Sequence, residues 1–440
     1  MRSFKIIVGA LIAIPLFFVV ATLCGNSSAE EAETKALAKV PELVKASVDP
    51  KEVALYSENK RELQVALAAY FKKAVALGDI VGAGVSIVKG DSIVVSEGFG
   101  KRKSGERDKV DGETVFRLGS LSKGFAGVLA AELEDEGKLH WSDKVRDFVP
   151  DFQLGDIKNT AKITLAHILS HTSGTPYHSY TNLVDAGIPI GKIASMFKKV
   201  NPISEPGAMY SYQNAMFSLS SEIMREASGE DFAEALQNRF FNPLEMCSTT
   251  TDFDILSQNA NVAIPHVRAT RGWRSTKLTD SYHNAIAAGG INASAGDMAK
   301  WMRFLLGHNP EIMNEAALAD AFDPQIEIKS GRKYYYRWPG HLTSYYAYGW
   351  RIHKFQEDDA KAPRTIWHHG GSVNHFRNEI AIYPESDLGI CVLLNSNSRL
   401  ASTVIPDLYA IVKGIYTKNS PVAPSTASAL SDNSDYVFVE

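Results

Sequence analysis

The chain has 440 residues, 45% of them hydrophobic, and a formal net charge of −4. It can therefore bury a large core and is neither disordered nor collagen-like. No basic stripe is present to follow a phosphate backbone, which excludes a nucleic-acid partner, and there is no acidic block.

Arg2 and Lys5 precede an uncharged apolar run over residues 6–23, and Asn26-Ser27-Ser28-Ala29 follows it. A positive start, a hydrophobic segment and a small-residue site after Ala29 predict export, to the periplasm or the outer face of the cytoplasmic membrane. The run also approaches the ~20 residues of a spanning helix, so anchoring through residues 6–23 is the alternative to cleavage. Cys24 does not read as a lipoprotein cysteine, because Leu23 stands where a small residue is required. Cys247 and Cys391 remain, and their apolar surroundings predict two packed thiols rather than a disulfide.

Residues 30–60 read as a charged, alanine-rich spacer or a loosely docked helix. From 61 to 77, Leu63, Leu67, Tyr70, Phe71 and Ala74 recur with helical spacing. Residues 82–88 and 92–100 flank Lys89-Gly90-Asp91 and predict a hairpin. Residues 110–310 read as mostly helical with long loops. Within them, Thr164 caps a helix that stops at Thr172-Ser173-Gly174. Strands return at 365–369, 376–383 and 388–394, before a closing helix at 406–416. The Ser-, Asn- and Pro-rich tail over 418–440 predicts disorder. Strands from both chain ends and helices between predict an α/β (α+β) domain over 61–417. It has one antiparallel sheet flanked by helices, with an inserted helical lobe. A substrate would sit between sheet and lobe.

Ser120 and Lys123 open a helix whose residues Phe125, Val128, Leu129 and Leu133 form an apolar face. Three residues apart, the two side chains share a face. A serine attacks a carbonyl only when its proton is taken, and an amine takes it only when unprotonated. Free lysine titrates near ~10.4, so burial and the positive helix end must lower it by about 3 units. Ser57/Lys60, Ser195/Lys198 and Ser330/Lys333 repeat the pattern, and about two matches arise by chance in a chain this long. The neighbourhood must therefore decide. Tyr-x-Asn, which joins a second proton carrier to an amide, occurs at Tyr180/Asn182, Tyr212/Asn214 and Tyr282/Asn284. The middle pair stands between a Pro-Gly turn and a helix with Met216, Leu219 and Ile223 inward, so it is preferred. His369-Gly370-Gly371-Ser372 closes a strand that glycine lets run close to a substrate, and the Ser372 and Ser120 amides could form an oxyanion hole.

Ser-x-x-Lys, Tyr-x-Asn and His-x-Gly in that order, with residues 163–174 and Ala288-Gly289-Gly290 between, resemble the penicillin-recognising serine hydrolases. More closely, they resemble the class C β-lactamase-related family, which includes D-alanyl-D-alanine peptidases, D-aminopeptidases and esterases. The likeness covers roughly residues 60 to 416. It implies a β-lactamase/transpeptidase-like fold, no cofactor, and an acyl-enzyme formed on a small or peptide substrate such as a peptidoglycan fragment. It implies Ser120 as nucleophile, Lys123 as its base partner, Tyr212 as proton shuttle and Asn214 as holder of the substrate amide. Ser431-Asp432-Asn433 and Lys329-Ser330-Gly331 also spell family motifs, but out of order or before the late strands. β-Lactamases of the family usually carry Lys-Thr-Gly where this chain has His369-Gly370-Gly371. A histidine near ~6.5 weakens the standing charge at neutrality, which tilts towards peptidases and esterases over a β-lactamase. A non-catalytic relative that binds cell-wall peptides is the remaining alternative. No metal is expected, since His-Glu-x-x-His is absent, and no Gly-x-Ser-x-Gly elbow suggests another hydrolase fold. Specificity is expected from the loops at 177–190 and 325–346.

Overall fold

The computed structural model describes residues 50–329, 331–357 and 360–419. The apolar run at 6–23, the site after Ala29, Cys24, Ser330 and Ser431-Asp432-Asn433 lie outside the described residues. Helix α1 (Pro50–Ala76) includes the residues from 50 to 60 ahead of Arg61. Nothing between Pro50 and Arg61 breaks the helix, so this part of the stretch is helical. Its Leu63, Leu67 and Phe71 are fully buried.

The hairpin forms as β1 (Gly82–Lys89) and β2 (Ser92–Gly100), turned at Gly90 with φ +59°. After β3 (Val115–Arg117) come α2 (Ser122–Asp135), α3 (Leu165–Leu169) and α4 (Asn214–Ser228). Thr164 caps α3 in a capping box with His167, and Gly229 ends α4 in the left-handed region at φ +74°. Next are β4 (His266–Ala269), β5 (Gly272–Ser275), β6 (Asn292–Ser294) and α5 (Ala295–Leu305), whose N-cap Ser294 accepts from the Asp297 amide. The chain closes with β7 (Ile326–Glu327), β8 (His341–Tyr346), β9 (Arg351–Phe355), β10 (Arg364–Val373), β11 (Phe376–Tyr383), β12 (Leu388–Leu394) and α6 (Val404–Lys418).

Eight strands form one sheet in the order β2-β1-β12-β11-β10-β9-β8-β7, antiparallel at every pairing. Strand alternation sorts its side chains into two cores. Ile390 and Val392 pack with Leu67, Phe71, Leu408 and Val412 of α1 and α6. Cys391 and Leu393 join Phe125, Leu219 and Trp301 of α2, α4 and α5. The sheet thus has helices on both faces, with the helical lobe inserted between β2 and β7. β7 to β9 were not anticipated, because their tyrosine- and histidine-rich stretch lacks a clean apolar alternation.

Two further readings change. A single buried face was expected for α2, yet residues 122–131 are all buried. The helix lies between sheet and lobe. A Cβ at Gly124 would fall 2.5 Å from the Trp350 ring and one at Gly127 would strike the Tyr348 carbonyl, so glycine admits the β8–β9 turn. Cys391 is buried, but Cys247 is exposed and is not a packed thiol.

Candidate active site

Ser120 lies in a short 3₁₀ turn, Gly119–Leu121, that leads into α2. Gly119 has φ +58°, and a Cβ there would lie 2.9 Å from the Ser372 amide nitrogen. A Cβ on Gly371 would strike the Leu118 carbonyl. The two glycines let β10 pass directly beside the Ser120 turn, which brings the Ser372 backbone next to that of Ser120.

The Tyr212 hydroxyl donates to Ser120 Oγ at 2.9 Å, and Lys123 Nζ stands 3.3 Å from the same oxygen. Lys123 is fully buried, and its Nζ donates to Asn214 Oδ1 at 2.8 Å and to the Ala288 carbonyl at 2.7 Å. Burial, and then the Arg351 guanidinium, hold its pKa well below the ordinary lysine range. A neutral amine has two N–H donors and one lone pair. Two acceptors take both donors, which leaves the lone pair for the Ser120 proton. Burial pushes Tyr212 up to about 12, so it is a phenol at neutral pH.

The 163–174 segment acts through His171. This buried residue has φ +59°, its Nδ1 accepts the Gln213 N–H at 3.1 Å, and its ring lies 4.1 Å from that of Tyr212. It fixes both the backbone and the ring of the Tyr-x-Asn turn.

Tyr180 stands apart, donating to the Met196 carbonyl at 3.0 Å. Tyr282 does not. Its hydroxyl accepts from Asn214 Nδ2 at 2.8 Å, so a residue passed over as a repeat of the motif belongs to the cluster. Asn214, expected to hold a substrate amide, spends Oδ1 on Lys123 and one N–H on Tyr282. The other Ser-x-x-Lys pairs lie elsewhere: Ser57 is exposed on α1, Ser195 Oγ bonds its own helix at Lys192, and Lys333 reaches Tyr177. Lys329 is exposed beyond β7.

His369, Gly370, Gly371 and Ser372 lie within β10, not at its end, because the strand continues to Val373. His369 is fully buried, with Nε2 2.9 Å from the Tyr346 hydroxyl and Nδ1 2.8 Å from the Gly370 carbonyl. Burial, Arg351 and Lys123 hold its pKa well below the usual histidine value, so it does not titrate near neutrality as expected. A fixed positive charge nearby is Arg351, which faces the rings of Tyr335 and Tyr346 at 5.6 and 5.9 Å. The Gly370 Cβ position is already filled, by the Tyr334 hydroxyl at 2.7 Å and Glu379 Oε2 at 2.9 Å. Glu379, which also accepts from the Tyr334 hydroxyl at 2.7 Å and pairs with Arg377 at 3.2 Å, leads into a chain in which buried His368, His353 and Ser344 and half-buried His341 follow at 2.8, 3.0, 2.7 and 2.7 Å. Nothing in the sequence marks Arg351, and Glu379 is marked only by its place in an expected strand.

The chain matches the model of the beta-lactamase family over residues 67–411. It belongs to that family. The chain is similar to unguisins hydrolase ungD of Aspergillus violaceofuscus. The two are 26% identical over 74% of this chain and 60% of the relative. Protein flp of Staphylococcus aureus is 23% identical over 75% of this chain and 62% of the relative. The matched part thus spans less than two thirds of those relatives. The octameric penicillin-binding protein homologue from Pyrococcus abyssi shares the fold, with a TM-score of 0.68 over 80% of each chain at 22% identity.

Proposed function

We propose that this beta-lactamase-family chain is an exported serine hydrolase that cleaves amide or ester bonds through an acyl-enzyme on Ser120. The observation that carries the reading is Ser120 Oγ, 2.9 Å from the Tyr212 phenol and 3.3 Å from a buried lysine whose two donors are engaged elsewhere. Lys123 takes the Ser120 proton as Oγ bonds to the substrate carbonyl carbon. The Ser120 and Ser372 amides receive the developing oxyanion. Tyr212 gives its proton to the leaving nitrogen or oxygen as that bond breaks, and Lys123 returns one to Tyr212. Water then attacks the acyl-enzyme, and the same pair takes its proton and restores Ser120.

For substrates, the reading favours D-amino-acid-containing peptides, including peptidoglycan fragments, and esters. His369 supplies no charge, and Arg351 is the cation available to a substrate carboxylate. A relative named as a hydrolase of unguisins supports hydrolytic chemistry. The test is labelling by a fluorophosphonate, lost in Ser120→Ala, followed by a panel of D-Ala-D-Ala peptide, D-amino-acid amide, p-nitrophenyl ester and chromogenic cephalosporin. Labelling that survives Ser120→Ala refutes the reading. Turnover of the cephalosporin alone would replace the substrate class with β-lactams.

A further inference from the structure

We infer that Tyr282 is a positioning residue that holds both hydrogen-bond acceptors of the Lys123 amine in place. The inference rests on Ser120 and Lys123 acting as proposed above.

Tyr282 adopts φ +67°, a conformation that costs a bulky residue roughly 1–3 kcal/mol and persists only where its surroundings impose it. The surroundings are specific. Upstream, the buried Arg117 guanidinium donates to the carbonyls of Thr279, at 2.8 Å, and Ser281. Asn374 Oδ1 accepts the Thr279 N–H at 3.0 Å. Downstream, the Tyr282 carbonyl accepts the Ala285 N–H at 3.0 Å and starts the turn that carries Ala288. The ring fills the space where a Gly289 Cβ would stand, 2.7 Å from Cδ1, and a Gly290 Cβ would lie 2.7 Å from the Tyr282 carbonyl oxygen. At its far end, the hydroxyl accepts from Asn214 Nδ2 at 2.8 Å.

One side chain therefore touches both supports of Lys123. Its ring braces the turn that presents the Ala288 carbonyl, and its hydroxyl anchors the amide that presents Asn214 Oδ1. Those two oxygens take the two N–H donors of the neutral amine. If either moves, the amine rotates about its last bond and the lone pair leaves the Ser120 proton. Lys123 would stay buried and neutral while losing aim. The effect belongs on the chemical step, because Tyr282 acts through Asn214 and Ala288 and not on substrate.

The test uses p-nitrophenyl acetate hydrolysis and the rate of fluorophosphonate labelling on the full chain. Tyr282→Phe keeps the ring and removes the hydroxyl. We expect kcat to fall about tenfold with KM changed less than about twofold, the signature of lost aim rather than lost binding. In an Asn214→Ala background, the same substitution should cost less than about twofold, because its target is gone. A kcat within about twofold of the parent, a loss confined to KM, or an undiminished loss in the Asn214→Ala background would each overturn the inference. Should Tyr282→Phe not fold, Gly289→Ala, which pushes on the ring and spares the hydroxyl, must show the same fall in kcat for the inference to stand. Ser120→Ala is the control. If it retains the activity, the serine–lysine reading fails, independently of Tyr282.

Discussion

The Tyr346 hydroxyl closes off His369, lying 2.9 Å from its Nε2 while Nδ1 faces the Gly370 carbonyl at 2.8 Å. The imidazole is thereby held between two protein partners, while burial and the cations Arg351 and Lys123 disfavour its charged form. A histidine pKa lowered by burial places the charged form only at pH values below the ordinary range. The kcat/KM profiles of carboxylate-bearing and neutral substrates should accordingly run parallel across roughly pH 6–7. His369→Gln should leave their ratio unchanged. Profiles that separate there by one ionisation would show His369 charging in the cleft.

Arg351 lowers the Lys123 pKa second only to burial. Arg351→Met keeps length and apolar packing but removes the cation, so the Lys123 pKa should rise. The base must be unprotonated to act, so the acid limb of kcat/KM for p-nitrophenyl acetate should move to higher pH. A limb that stays put, or moves down, contradicts the electrostatic coupling.

Tyr212→Phe removes the hydroxyl 2.9 Å from Ser120 Oγ and should cost about 10²–10⁴ in kcat. Tyr180→Phe removes only the bond to the Met196 carbonyl and should cost about 1 kcal/mol of stability with activity intact. Steady-state kinetics and a denaturant titration on both variants decide the point. The reverse pattern would place the cleft at the wrong tyrosine.

Burial raises Glu379 from 4.5 to about 7. The native state then holds a proton that the unfolded chain releases, so stability should fall as pH rises from about 4.5 to 7. The change is on the order of 3 kcal/mol at most for a shift of that size. Glu379→Gln should flatten that slope, read from urea midpoints at a series of pH values. An unaltered slope would assign it to other groups.

Local chemistry was legible in the sequence. The Gly90 turn sets the first hairpin, Thr164 caps its helix, and three residues of spacing at a helix start put Lys123 on the same face as Ser120. The antiparallel sheet with an inserted lobe followed from where strands and helices fall. What the sequence could not supply is which distant groups meet. Tyr282 reaches Asn214 across 68 positions and Ala288 reaches Lys123 across 165, separations that carry no periodic signal. The lowered pKa values of Lys123 and His369, the cation at Arg351 and the polar chain through Glu379 likewise depend on burial and close approach. Those arise only when β10 passes the Ser120 turn and the lobe closes over α2, because desolvation and hydrogen-bond geometry belong to the folded neighbourhood and not to any residue within it.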